Sequence, residues 1–357
     1  MSVEDAARKL GLEQRVLAAL TAVTVGVDGS DVVTSGQVYD VVATGGAVRI
    51  LIDPDKVPEP LQEELAQVIA PYVESLPGVE RVVVKPRPRP VAQRERIPGI
   101  AHVVGVHSGK GGVGKSTVVV NLAVALAQRG LRVGLLDADV YGPSCPTLLG
   151  LSGRAEEDPE QGRIEPKVGH GVKVMSLGFL LPEGQALIWR GSLVDEGLPQ
   201  LFEHVAWGEL DVLLIDLPPG TSDVHIAVAR YVRLAGIVTV TAPGQVSVDD
   251  VRRGMEMFAD MAVPCLGLVE NMSGVACRGC GHVAAVFGAG GAHELAEQTG
   301  LPLLAEIPFE PEVSELCDGG RPVVTAAPGS RTAEGIERIA AALVERLGLG
   351  ARVEASA

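Results

Sequence analysis

A chain of 357 residues is long enough for about two domains at roughly 150 residues each, and its 46% apolar and 21% charged content excludes an intrinsically disordered chain. A net charge of -15 argues against a dominant role on nucleic-acid phosphates, where affinity comes from clustered Lys and Arg, and 3% aromatic content argues against a base-stacking platform. No apolar run approaches the ~18 to 20 residues that span a bilayer, so neither nucleic acid nor membrane is expected as a partner.

The opening "MSVEDAARKL" is acidic and has no hydrophobic signal core, which leads to the expectation of a cytoplasmic protein. "RVLAALTAV" then reads as a helix, "VYDVVATGGAVRILID" as two strands around a Gly-Gly turn, "EPLQEELAQVIAPYVESL" as a helix and "VERVVVKP" as a closing strand. These elements make residues 1–86 a small α+β domain. "KPRPRPVAQRERIPG" holds four prolines and four arginines and cannot bury a core, so residues 87–99 read as a semi-rigid linker.

From residue 100 the pattern changes. "AHVVGV", "LRVGLLDAD", "VKVMSLG", "DVLLIDLPPG", "AGIVTVTAPG", "CLGLVENM" and "PLLAEIPF" are short runs, apolar on both faces and separated by helical segments. That alternation predicts a doubly wound α/β domain over 100–357, with a mostly parallel sheet and ligands at the carboxyl ends of its strands. No internal repeat is evident.

The stretch "SGKGGVGKST", residues 108–117, lies between the first of these strands and the helical run "KSTVVVNLAVALAQRG". Gly109, Gly114, Lys115 and Ser116 satisfy G-x-x-x-x-G-K-[ST], in which backbone N–H groups cradle phosphates, the lysine reaches the terminal ones and the hydroxyl coordinates Mg²⁺. Gly109, Lys110, Gly111, Gly112, Val113, Gly114, Lys115, Ser116 and Thr117 are therefore the expected ATP-binding loop. Three carboxylates follow in order. Asp137 and Asp139 end the second strand, where one can influence the Mg²⁺ shell and the other orient an attacking water. Asp216 ends "VLLID" as a Walker B residue holding Mg²⁺ through its water shell. Pro218, Pro219 and Gly220 form a stiff turn beyond it. Lys110 exceeds what the motif needs; it acts either as an ordinary solvated lysine or across a dimer interface, as an arginine finger does.

"GKGGVGKST", with a lysine directly after its first glycine, resembles the deviant Walker A loop of the MinD/ParA/nitrogenase-iron-protein class of ATPases. "DADVYGPSCPTLLG", "WRGSLVDEGLPQLFEHVAWGELDVLLIDLPPGTSD", "VENMSGVACRGCGH" and "EIPFEPEVSELCDGGRPVV" resemble the Mrp/ApbC branch, the P-loop iron–sulfur carrier ATPases. The resemblance covers residues 100–345. It implies that Lys110 is the trans-acting signature lysine, Lys115 the Walker lysine and Ser116 the Mg²⁺ ligand. It further makes Asp139 the water-orienting carboxylate, Asp216 the Walker B residue and Asn271 the reader of adenine. The first domain resembles the small α+β domain fused ahead of many Mrp proteins. It differs in lacking any cysteine before Cys145, which excludes independent thiolate chemistry there.

Five cysteines in a long chain do not form a secreted disulfide framework, so reduced thiols are expected. Cys277 and Cys280 in "CRGCGH" have C-x-x-C spacing, with Gly279 and Gly281 freeing the backbone so that both sulfurs can face one metal. Two thiolates are half a site, and a two-fold homodimer supplies the other half. The resemblance implies a bridging [4Fe–4S] cluster. A zinc knuckle with His282 as an added ligand, or a redox dithiol, stays open on spacing alone. Cys145 and Cys265 read as packing residues, and Cys317 has no evident role. His102 and His107 are expected to flank a strand and His204 and His225 to lie on helices, all structural. The final "RTAEGIERIAAALVERLGLG" places Ile336, Ile339, Leu343 and Leu347 on one face, a helix docked on the core rather than a basic membrane helix.

Two classes of function remain at this point. One is an ATP-hydrolysing carrier that passes an Fe–S cluster to apo-proteins, working with assembly factors. The other is a MinD/ParA-like positioning ATPase, with an electron-transfer ATPase as a third variant.

Overall fold

A computed structural model of the chain describes residues 11–24, 30–44, 46–54, 56–86, 96–139, 142–158, 162–180, 192–277 and 279–350. The chain divides into two units, Met1–Pro90 and Val91–Ala357. "MSVEDAARKL" and residues 87–95 of the expected linker lie outside the described residues.

In the first unit a helix at Leu12–Leu20 is followed by β1 (Val38–Thr44) and β2 (Ala47–Ile52), an antiparallel pair closing with Thr44 opposite Ala47. β3 (Arg81–Pro86) runs parallel to β2. A parallel pair requires a crossover, and the helix Glu59–Glu74 provides it. Val16, Leu20, Ile50, Ile52, Ile69 and Val73 close the core at 1% exposure or less. The first helix sits three residues earlier than the apolar run suggests: Thr21 Oγ1 donates to the Ala18 carbonyl at 2.7 Å and the helix ends there.

All seven apolar runs of the second unit form strands of one sheet. They are β4 (Ile100–Ser108), β5 (Val133–Asp137), β9 (Val172–Ser176), β10 (Leu210–Asp216), β11 (Gly236–Thr241), β12 (Cys265–Ala276) and β14 (Leu303–Phe309). The short pieces β6 (Glu157–Asp158), β7 (Arg163–Ile164), β8 (Lys167–Gly169) and β13 (Val283–Ala284) carry too few residues for a periodic signal. The order is β13-β12-β11-β4-β10-β5-β9-β8, with β14 also on β12, and only β13 and β8 pair antiparallel. β5 and β11 are buried at every residue, as parallel strands covered on both faces must be.

Register then places the chemistry. β10 lies between β4 and β5, with Asp216 opposite Val106 on one side and Asp137 on the other. Both carboxylates thus reach the carboxyl edge of the sheet beside the loop that leaves β4.

The helix Lys115–Gln128 is buried continuously from Val118 to Leu126, and an all-round apolar helix must be covered on every side. The terminal helix Arg331–Leu347 helps cover it, burying Ile336, Ile339 and Leu343 against the core. Among the described residues no helix is long and apolar enough to cross a membrane.

Candidate functional site

The loop from Ser108 to Thr117 is shaped by its own backbone. Gly112 and Gly114 take φ of +80° and +79°, a region that side-chain-bearing residues rarely adopt. Gly114 in that conformation caps the helix beginning at Lys115, so the helix N-terminus and its free N–H groups face the loop interior. Ser108 Oγ donates to the Lys110 carbonyl at 3.1 Å and steadies the early turn. The loop encloses a cavity of about 250 Å³ lined by Lys110 through Thr117, with Asp139, Ser144 and Pro219 on the opposite wall.

Behind this cavity Lys115, 5% exposed, donates to Asp216 Oδ1 at 2.5 Å, and Ser116 Oγ donates to Asp216 Oδ2 at 2.6 Å. Asp137 is fully buried. It accepts from the Cys145 N–H at 3.1 Å, the Asp139 N–H at 3.2 Å and Ser176 Oγ at 3.3 Å. Burial first, and then the neighbouring Asp216 carboxylate, push the Asp137 carboxyl up to about 7. Asp137 and Asp139 therefore part company: the strand ends at Asp137, which turns into the interior, while Asp139 is half-exposed on the cavity wall.

Cys145 is more than packing. Its Sγ lies 3.5 Å from Asp216 Oδ2, and burial with the two carboxylates raises the thiol well above its usual range. Among the described residues, Asp137, Cys145 and Asp216 are the one group of three possible metal donors within 4.8 Å of one another.

A second cavity of about 120 Å³ shares Gly114 and Thr117 with the first and is walled by Asn271, Met272, Phe309 and Glu310. Asn271 Nδ2 donates to the Val113 carbonyl at 2.8 Å. Met272 beside it has φ of +58°, and the pairing of β12 with β14 breaks between Asn271 and Val275. Such backbone strain collects at functional positions. Asn271, still paired with Ile307 at the edge of the break, sends its side chain to the loop, a contact with no local sequence signal.

β12 runs on to Ala276 and turns through the cysteine pair into β13, which pairs antiparallel with it. The pair is therefore a hairpin tip, not the strand-to-helix junction that a thioredoxin-like dithiol uses. The Cys277 N–H donates to the His282 carbonyl at 2.8 Å and the Gly281 N–H to the Cys277 carbonyl at 2.9 Å. Both thiols are exposed. Hydrogen bonds from the backbone N–H of Cys280, then of Gly279, and from the Cys280 thiol hold the Cys277 thiol below its ordinary value. His282 does not join the two sulfurs in a three-donor group.

Cys265 is half-buried at the start of β12, and Cys317 is buried, accepting from Asn121 Nδ2 at 3.7 Å. The histidines differ from expectation. β4 extends to Ser108, so His107 lies inside the strand, and His204 falls just past the helix that ends at Glu203. His107 meets His225, with ring centroids 5.3 Å apart. Burial, mainly, holds His107 down at about 3 and His225 at about 4.

These two depressed values make acid costly. Below about 6.5 the unfolded chain takes up protons that the folded histidines refuse, so their stabilisation is present above that pH and lost as pH falls towards 4 and 3. Asp137, raised in the fold, acts in the opposite sense over much of the same window. Thermal melts of wild type and His107→Leu between pH 6.5 and 5 separate the contributions: the wild type should lose stability faster, by up to about 1.4 kcal/mol per pH unit. Parallel curves would show that His107 does not titrate on unfolding.

Comparison with known proteins agrees with this architecture. Residues 99–344 match the ParA family described as NUBPL iron-transfer P-loop NTPase, and residues 13–84 match a family described as iron–sulfur cluster assembly protein. A Synechocystis protein named iron–sulfur cluster carrier protein is 40% identical over 326 residues, 89% of this chain and 92% of that one. The mouse iron–sulfur cluster transfer protein NUBPL is 43% identical over 261 residues, 72% of this chain and 82% of that one. Among solved structures, a nucleotide-binding protein of Archaeoglobus fulgidus in complex with ADP is 40% identical, with a TM-score of 0.57 over 63% of this chain and 89% of that one. The chain belongs to the ParA family of NUBPL iron-transfer P-loop NTPases and carries an iron–sulfur cluster assembly protein domain ahead of its NTPase domain.

Proposed function

We propose that the chain is an ATP-hydrolysing iron–sulfur cluster carrier that works as a two-fold homodimer and delivers its cargo to apo-proteins. The observation that carries this reading is the exposed Cys277–Cys280 hairpin on the same domain as the phosphate loop. A [4Fe–4S] cluster typically takes four thiolates, and two copies of the hairpin about a two-fold axis supply them. A site at an exposed tip, with two ligands from each subunit, suits a cargo that must leave. The names of the Synechocystis and mouse relatives support the same cargo.

In this reading the loop residues Gly109 to Thr117 bind the phosphates of ATP, and Asn271 with its cavity receives the adenine. Ser116 and Asp216, hard oxygen donors 2.6 Å apart, suit Mg²⁺, with Asp137 supporting them from the interior. When bound, Mg²⁺ neutralises charge on the phosphates. Asp139 orients the attacking water from the cavity wall, Lys115 holds the terminal phosphates, and Lys110 reaches the partner's nucleotide. The domain limits 1–86 and 100–357 belong to the same proposal. So does a cytoplasmic setting, where exposed thiols stay reduced.

Anaerobic reconstitution with iron and sulfide tests the cargo. Wild type should gain a visible absorbance band and about four iron atoms per dimer; Cys277→Ala and Cys280→Ala should each lose both. Equal iron uptake by the variants, or uptake of zinc alone by wild type, would overturn the carrier reading.

A further inference from the structure

His107 stands immediately before the phosphate loop, is completely buried, and packs edge-on against His225 at 5.3 Å and Phe258 at 5.4 Å between centroids. Gly254, one turn before Phe258 on the helix Gln245–Asp260, makes room for it: a Cβ there would run into the His107 ring. Neither nitrogen of His107 has a hydrogen-bond partner among the described residues. A neutral imidazole carries one donor and one acceptor, so the fold bears a desolvation cost that an apolar side chain in the same space would not.

His225 belongs to the opposite wall of this contact. It is the third residue of the helix Asp223–Tyr231, which follows the turn after Asp216. Its Nδ1 accepts the Ser222 N–H at 3.1 Å, which leaves the proton on Nε2. That proton has no acceptor in hydrogen-bond geometry, although the Pro218 carbonyl is near. The same turn is tied to β4 by the Gly220 N–H, which donates to the Ser108 carbonyl at 2.8 Å. One ring is thus fixed to the loop strand and the other to the turn, and the two touch.

We propose that His107 and His225 are a positioning pair that couples the Pro218–Ser222 turn to the phosphate loop and so sets the rate of ATP hydrolysis; this rests on the ATPase reading above. A small displacement of the turn towards His225 closes Nε2–H onto the Pro218 carbonyl and moves the ring edge on which His107 rests. An element with two arrangements of similar free energy, each biased by a different site, is what such coupling requires. An apolar pair would fill the space without offering the second arrangement.

The test uses the full chain. His107→Leu and His225→Leu should keep the wild-type KM for ATP and hydrolyse it about tenfold more slowly. The double variant should be no slower than the slower single one. His225→Gln, whose amide oxygen can accept the Ser222 N–H, should recover most of the loss. Hydrogen exchange at residues 220–223 should differ between ADP and a non-hydrolysable ATP analogue in wild type and not in His107→Leu. Wild-type turnover in either leucine variant, additive losses in the double, or an unrescued glutamine variant overturns the pairing. If His225→Leu does not fold, the His107→Leu exchange comparison decides alone. A wild-type chain that binds ATP and never hydrolyses it overturns the ATPase reading instead, and the exchange comparison then still judges the pair.

Discussion

Replacing Lys110 with alanine should lower ATP turnover by roughly 10³-fold or more, while nucleotide affinity stays close to that of wild type. The expectation follows from what each loop residue has to do. Phosphate binding within one subunit draws on the backbone N–H groups, the helix N-terminus and Lys115, all of which survive the substitution. Hydrolysis needs added positive charge on the loose transition state, and a lysine reaching in from a second copy supplies it only when two loops face each other. The comparison to make is single-turnover hydrolysis against equilibrium nucleotide binding. If turnover in Lys110→Ala equals that of wild type, Lys110 is a solvated side chain of its own subunit and the dimer loses one of its two supports.

Lys115→Ala should behave differently, with nucleotide binding and turnover both lost and the fold weakened as well. Lys115 is the cation paired with Asp216 at 2.5 Å, and both side chains are almost fully buried. Removing one member of a buried pair leaves an uncompensated charge, a change that typically costs about 3 to 5 kcal/mol. Asp137 is beside it on the next strand, so among the described residues the change leaves two neighbouring carboxylates without the cation that Lys115 supplied. They can share a proton, which softens the loss at low pH and makes it worse as pH rises; without Lys115, whose charge lowers it, the Asp137 titration moves up from its wild-type region near 7. Chemical denaturation at pH 6 and pH 8 checks this. A variant as stable at pH 8 as at pH 6 would mean that Lys115 does not hold the carboxylate pair in the fold.

What could be read along the chain was whatever local patterning encodes. The apolar runs ending in Asp137 and Asp216 gave the strands, and the glycine loop between a strand and a helix gave the turn that lines the cavity. The α+β unit appeared in its elements, misplaced only at its first helix, where the hydroxyl of Thr21 outweighs the continuing apolar pattern. Contacts made by topology were not legible. Cys145 read as a packing residue because nothing near it in the sequence shows that Asp216, at the end of β10, comes within 3.5 Å of its sulfur. His107 and His225 read as separate structural histidines because only the packing of three elements brings their rings together. The strained backbone at Met272 has no sequence mark either, since neither glycine nor a turn motif announces it.

The strand that carries Asn271 and leads into the cysteine pair also acts as a ruler. Asn271 touches Val113 of the phosphate loop, and Cys277 is six residues further along the same chain. Six residues reach at most about 22 Å however they are extended. While the Asn271–Val113 contact holds, labels placed on the loop and on the hairpin of one subunit report a short, bounded separation. In the proposed homodimer, a longer distance between such labels belongs to two different subunits and measures their approach directly.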